Sequence, residues 1–171
     1  MNKNLDKLTF EDIKKAVKAF QGAIKHTPTN HAITLSKMTG AEVYIKMENS
    51  QFTASFKERG ALNKLLNLTS EQKEAGVIAA SAGNHAQGVA YHASLLNIPS
   101  TIVMPLGTPF VKISNTEELG AKVIEVGERF DETAEAAIRI AAEQNLTMVH
   151  PFDDYHVMAG QGTIGLELLE D

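Results

Sequence analysis

The sequence has 171 residues, 43% hydrophobic and 22% charged, enough for one ordinary domain or parts of two around a buried apolar core. A formal charge of −5 offers nucleic acid no broad basic surface, and the lack of cysteine removes disulfides, thiolate nucleophiles and cysteine-zinc sites. Residues 1–7 carry no apolar secretory core, and no later run approaches the roughly 18 apolar residues of a membrane span, so a cytoplasmic chain is expected.

Over residues 9–26 the spacing of Phe10, Ile13, Ala16, Val17, Phe20 and Ile24 follows the helical period, and Thr9 with Asp12 has the acidic form of a capping box. Residues 42–48 alternate and read as a strand, and residues 55–68 return to a helix. Short apolar runs then recur at 76–80, 101–104, 122–126 and 147–150, separated by helical stretches at 84–96, 109–119 and 130–144. This alternation predicts an α/β fold of open parallel sheets covered by helices, with right-handed crossovers and ligands outside the carboxyl ends of the strands. Residues 160–171 read as a loop and a helix in mid-course without a C-cap glycine, so the chain is expected to be a piece of a longer protein. The triplets at Asn67 and Asn145 read as chance glycosylation matches.

Ser55-Phe56-Lys57-Glu58 has the form of a capping box, with Ser55 accepting from the Glu58 N–H and Glu58 reaching back to Ser55. Lys57 then falls in the first helical turn, where the helix dipole opposes a cation by about 0.3–1 kcal/mol. A neutral amine is what a Schiff base requires. The same residues also describe a surface lysine with Arg59 as its solvated neighbour, and local pattern does not separate the two.

In the stretch from Ala79 to Gly88 an apolar strand runs into a small-residue turn and then a helix. Ser81 and Asn84 are good capping types, Gly83 allows close approach of a ligand, and exposed N–H groups suit a carboxylate or phosphate. An ordinary βα turn would use the same residues. His85 reads as a structural or ligand-orienting imidazole, since no second histidine or acidic residue stands at metal-ligand spacing, and no metal is expected. Pro109 suits a first helical position. The stretch from Gly160 to Gly165 matches G-x-G-x-x-G, but residues 153–159 separate it from the preceding strand, which argues against a nucleotide.

Taken in order, the segments from Lys46 to Ala61, Ser81 to Gly88, Val103-Met104-Pro105, His150-Pro151-Phe152-Asp153 and Gly160-Gln161-Gly162-Thr163 resemble the threonine/serine dehydratases. These are fold-type-II pyridoxal-phosphate (PLP) enzymes, a group that includes serine racemase. The resemblance implies that Lys57 holds PLP covalently and moves the α-proton of the substrate, that Phe56 packs on the cofactor ring and that Asn84 bonds its 3′-oxygen. Ser81, Ala82, Gly83, Asn84 and His85 would take the substrate carboxylate. It implies β-elimination of threonine or serine to 2-oxobutanoate or pyruvate and ammonia, in a cytoplasmic homo-oligomer without nucleic-acid or membrane partners.

Serine racemase has a second serine, an acid/base for the opposite face, where this chain has Ala82, so dehydration is favoured over racemisation. A non-catalytic α/β module is the rival from another class. The resemblance assigns residues 53–152 to a small α/β domain with its linking helix, and 1–52 with 153–171 to an incomplete large domain. It places the phosphate-cradling glycine loop beyond Asp171, so little activity is expected of the 171 residues alone.

Overall fold

The structure, a computed structural model, describes residues 8–171. Helix α1 (Phe10–Phe20) begins as predicted, with the Asp12 carboxylate accepting the Thr9 N–H at 3.1 Å. It ends well before residue 26, because Gln21 (φ 46°) and Gly22 (φ 85°) both take left-handed values that close a helix. Ile24 is nonetheless buried, in a small cluster with Ala16, Phe20 and Leu62.

Strands β1 (Thr29–His31) and β2 (Tyr44–Lys46) pair antiparallel on either side of α2 (Ile33–Thr39). The strand predicted over 42–48 shrinks to β2, since Met47 leads into a 3-10 turn at Glu48–Ser50. Next come α3 (Lys57–Leu66) and α4 (Ser70–Ala75). The helix predicted over 55–68 thus stops at Leu66. A true capping box, Thr69 with Gln72, then starts α4, which the sequence reading did not assign.

The remaining elements alternate: β3 (Val77–Ala80), α5 (Asn84–Leu95), β4 (Ser100–Met104), α6 (Phe110–Glu118), β5 (Lys122–Glu125), α7 (Phe130–Gln144), β6 (Thr147–Met148) and α8 (Tyr155–Glu170). Pro109 stands one place before the first residue of α6 rather than at it. Asn145, at φ 54°, caps α7 in the left-handed conformation that asparagine tolerates best after glycine.

These four strands form one parallel sheet in the order β5-β4-β3-β6. The chain steps from β3 to β4 to β5 and then returns past β3 to β6. Right-handed crossovers therefore put α5 and α6 on one face and α7 on the other. Side-chain alternation agrees. Val77, Ala79, Ile102 and Met104 pack with Val89 and Ala93 of α5 and Ile113 of α6, while Ile78, Ala80 and Val103 pack with Ala137 of α7. The reversal also brings the carboxyl ends of β3 and β6 side by side, the place where an open α/β sheet leaves a crevice.

Residues 160–165, expected to be a loop, lie inside α8. Gly160 serves packing: a Cβ on it would stand 2.5 Å from the Arg59 carbonyl oxygen, and one on Gly60 of α3 would stand 2.8 Å from the Val157 carbonyl oxygen. Helices α3 and α8 thus cross backbone to backbone. A Gly160→Ala substitution is expected to force them apart and cost roughly 1–3 kcal/mol, read as a lower urea midpoint.

Candidate active site

Phe56 at the cap of α3 and Lys57, Glu58 and Arg59 in its first turn each have different surroundings. Lys57 is half-buried, and its amine donates to the Pro151 carbonyl oxygen at 2.9 Å rather than to a carboxylate. The ring of Phe56, 40% exposed, lies with its centroid 5.4 Å from the Lys57 Nζ. Glu58 is fully buried and turns back to the preceding loop, where its Oε2 accepts both the Thr53 N–H (2.7 Å) and the Thr53 hydroxyl (2.6 Å).

The capping box predicted at Ser55 and Glu58 therefore does not form. Thr53 takes the Glu58 carboxylate, and Ser55 Oγ accepts the Lys57 N–H at 3.2 Å instead. Within that loop Ala54 adopts φ 54°, a conformation costing an L-residue about 1–3 kcal/mol. The two Glu58 bonds to its neighbour hold the loop in place.

Arg59, read from sequence as a solvated neighbour, is fully buried. Its guanidinium makes bidentate contacts with Glu48 (2.7 and 2.8 Å) and Glu167 (2.6 and 2.8 Å) and also donates to Thr163 Oγ1 at 3.1 Å. Burial works against its charge, but the two carboxylates outweigh that and strengthen its hold on the proton. Burial likewise pushes the Glu48 and Glu167 carboxyls up, and the bonds from Arg59, joined by Thr27 and Gln51 at Glu48 and by Lys46 at Glu167, more than offset it. The clamp ties α3 to the 3-10 turn on one side and to α8 on the other. Glu48 and Glu167 are distant in sequence, and no local pattern marks them.

After β3 the chain turns through Ser81, Ala82 and Gly83 into α5. Ser81 does not cap the helix directly; its Oγ accepts the Gly83 N–H at 3.2 Å. The cap position is Gly83 and no side chain caps α5, so the N–H groups of its first turn stay open to a ligand. Open space lies beside Gly83, and Asn84 is exposed at the head of the helix. Ala82 packs its methyl against the core under the sheet.

His85 points inward: it is 3% exposed, and its Nε2 lies 2.8 Å from the Val149 carbonyl oxygen. A carbonyl can only accept, so Nε2 carries the proton and Nδ1 is a bare acceptor, without a partner among the described residues. Burial pushes its pKa down to about 4, with Lys57 and His150 adding to the shift.

Residues 149–151 bring the two halves together, since the Val149 carbonyl meets His85 and the Pro151 carbonyl meets Lys57. The backbone of Glu58 also lies against α5, where a Cβ on Gly88 would stand 3.0 Å from the Glu58 Cα. Lys57 and the turn at 81–85 thus share the crevice at the carboxyl ends of β3 and β6. A primary amine, an adjacent exposed aromatic ring, an exposed amide and an open helix N-terminus fit an aldehyde-bearing aromatic cofactor together with an amino-acid carboxylate.

Comparison with known proteins gives the same direction. The model of the family described as pyridoxal-phosphate dependent enzyme matches residues 20–171. The L-threonine ammonia-lyase of Thermotoga maritima is 53% identical over 164 residues, 96% of this chain and 41% of its own length. The catabolic L-threonine dehydratase TdcB of Staphylococcus aureus is 53% identical over 161 residues, 94% of this chain and 46% of its own. Among solved structures, the processed threonine deaminase isoform 2 of Solanum lycopersicum superposes with a TM-score of 0.84 at 39% identity, over 95% of this chain and 49% of that one. Serine racemase of Dictyostelium discoideum gives a TM-score of 0.88 at 35% identity, over 95% and 53%. The chain spans about half the length, or less, of the relatives it matches.

Proposed function

This chain belongs to the family of pyridoxal-phosphate-dependent enzymes, and from that premise we propose that it supplies the lysine and the substrate-carboxylate turn of a threonine ammonia-lyase. The observation that carries the reading is the meeting of the Lys57 amine and the uncapped start of α5 in one crevice, bridged by residues 149–151.

In this reading Lys57, Phe56 and Asn84 hold the cofactor: the amine covalently, the ring by stacking, the amide by a hydrogen bond. When bound, PLP supplies the electron sink that makes the substrate α-proton acidic. The first-turn N–H groups at the turn of Ser81, Ala82, Gly83, Asn84 and His85 grip the substrate carboxylate and fix which α-bond faces Lys57. Lys57 removes the α-proton from its own face. The β-hydroxyl leaves as water, and water re-enters to release ammonia, so threonine becomes 2-oxobutanoate and ammonia with no net change in water.

Racemisation needs a second proton donor on the opposite face. Ala82 has none, and its partly buried methyl only packs against the core. Serine would react as threonine does, giving pyruvate. We also read residues 53–152 as a small domain with its linking helix. The four-stranded parallel sheet, formed wholly within those residues and with buried clusters on both faces, supports that reading.

Borohydride reduction of the full-length enzyme in the presence of PLP is expected to fix the cofactor on the peptide containing Lys57. A Lys57→Ala variant should take up no label and lose 2-oxobutanoate formation by about a thousandfold. Labelling at a different lysine, or none in the wild type, would overturn the assignment.

A further inference from the structure

Resting on the reading of Lys57 as the cofactor-bearing lysine, we infer that His85 is a positioning residue that places the Lys57 amine through the main chain of residues 149–151. The Pro151 carbonyl is the resting acceptor for that amine whenever it is not covalently engaged, and His85 fixes where this carbonyl stands.

The ladder that would otherwise hold this segment is short. Strand β6 has two residues, and the backbone bond from the Val149 N–H to the Ile78 carbonyl (2.8 Å) is the last link to β3. Beyond it the N–H groups of Phe152 (3.3 Å) and Asp153 (2.7 Å) both donate to His150 Nδ1. Two carbonyls remain on the side of the crevice. Val149 receives the His85 Nε2–H at 2.8 Å, and Pro151 receives the Lys57 amine at 2.9 Å.

His85 is itself rigidly placed, at 3% exposure in the first turn of α5. Such an imidazole does not touch a substrate; it acts on what its N–H holds. One residue, Val149 to Pro151 being two steps of chain, separates the carbonyl it grips from the carbonyl that grips the amine. A released lysine whose N–H is tethered to a fixed oxygen keeps its lone pair aimed at one place, and small displacements of such groups are costly in rate.

The test compares His85→Gln, which keeps an N–H donor, with His85→Leu, which fills the space without one, in the full-length enzyme. The readout is the rate of covalent PLP capture by the apoenzyme, trapped with borohydride, beside the thermal midpoint of each variant. Leucine is expected to slow capture about tenfold, while glutamine stays within about twofold of wild type. If the wild type is not labelled at Lys57, the reading of the lysine falls and this inference with it. If the wild type is labelled there but leucine captures as fast, or glutamine as slowly as leucine, the inference alone falls. Should the leucine variant not fold, nitrogen NMR of the wild-type apoenzyme decides: a His85 imidazole protonated on Nε2 supports the arrangement, and one protonated on Nδ1 overturns it.

Discussion

An Arg59→Ala variant is expected to lose about 3–5 kcal/mol of folding stability, because removing one partner of a buried ionic cluster leaves Glu48 charged without a cation among the described residues and Glu167 with Lys46 alone, 3.0 Å away. Here one guanidinium satisfies two carboxylates at once, Glu48 and Glu167, whose side chains are each 14% exposed. The loss corresponds to a fall of roughly 10 °C in thermal midpoint for a domain of this size. Lysine should rescue little, since a point charge cannot reproduce two bidentate contacts.

Coupling separates this from a simple cavity. Neutralising both acids in the alanine background, by Glu48→Gln with Glu167→Gln, should restore part of the stability, although the same pair of changes weakens the wild type. Additive losses in urea titrations would show that the carboxylates are not what the guanidinium is there to hold. The site should feel the change too, because Arg59 anchors the turn from which Lys57 projects.

The parts of this arrangement that were legible in sequence are those carried by short-range pattern. The alternation of apolar runs and helical stretches from residue 76 onward locates β3 to β6 and α5 to α7 within a few residues, since each buries a stripe whose period shows in the chain. The small-residue turn at 81–85 was visible because anion-binding turns need glycine and capping types in sequence neighbours.

Less was legible where tertiary contact overrides local preference. Ser55 and Glu58 have capping-box spacing, yet Glu58 finds two donors on Thr53 and the box is abandoned. The glycines at 160–165 have a loop's composition, yet they sit inside α8, where Gly160 lets the backbone of α3 approach closely and Gly162 makes room for Ile13 of α1. Arg59 gave no sign of burial, since its partners lie 11 residues before it and 108 after it in the chain. Strand β1 and helix α2 are too short to show a period. The Val149 and Pro151 carbonyls are main-chain atoms, which no residue type announces.

Stability is expected to fall steeply as pH drops from about 6.5 to about 4, ahead of any loss from the acidic clamp. His85 and His92, 3% and 1% exposed, are both pushed by burial from 6.5 down to about 4. Between those two values the unfolded chain binds a proton at each imidazole and the folded chain does not. Unfolding therefore takes up protons, and stability rises with pH across that window and declines as pH falls through it. Each imidazole contributes roughly 3 kcal/mol over the interval, so the pair removes about 6 kcal/mol, a large share of the stability of a typical domain. The carboxyls of Glu48, Glu167 and Asp154, held below their ordinary values, shift the balance the same way, but only at lower pH. His92 tests the assignment cleanly: its lowered value has burial as its cause and its Nε2 has no partner among the described residues. A His92→Phe variant should keep most of its stability at neutral pH and show about half the pH dependence between pH 6.5 and 4, measured by urea titration at fixed ionic strength. An unchanged slope would mean that His92 takes up its proton in the folded state as readily as in the unfolded one.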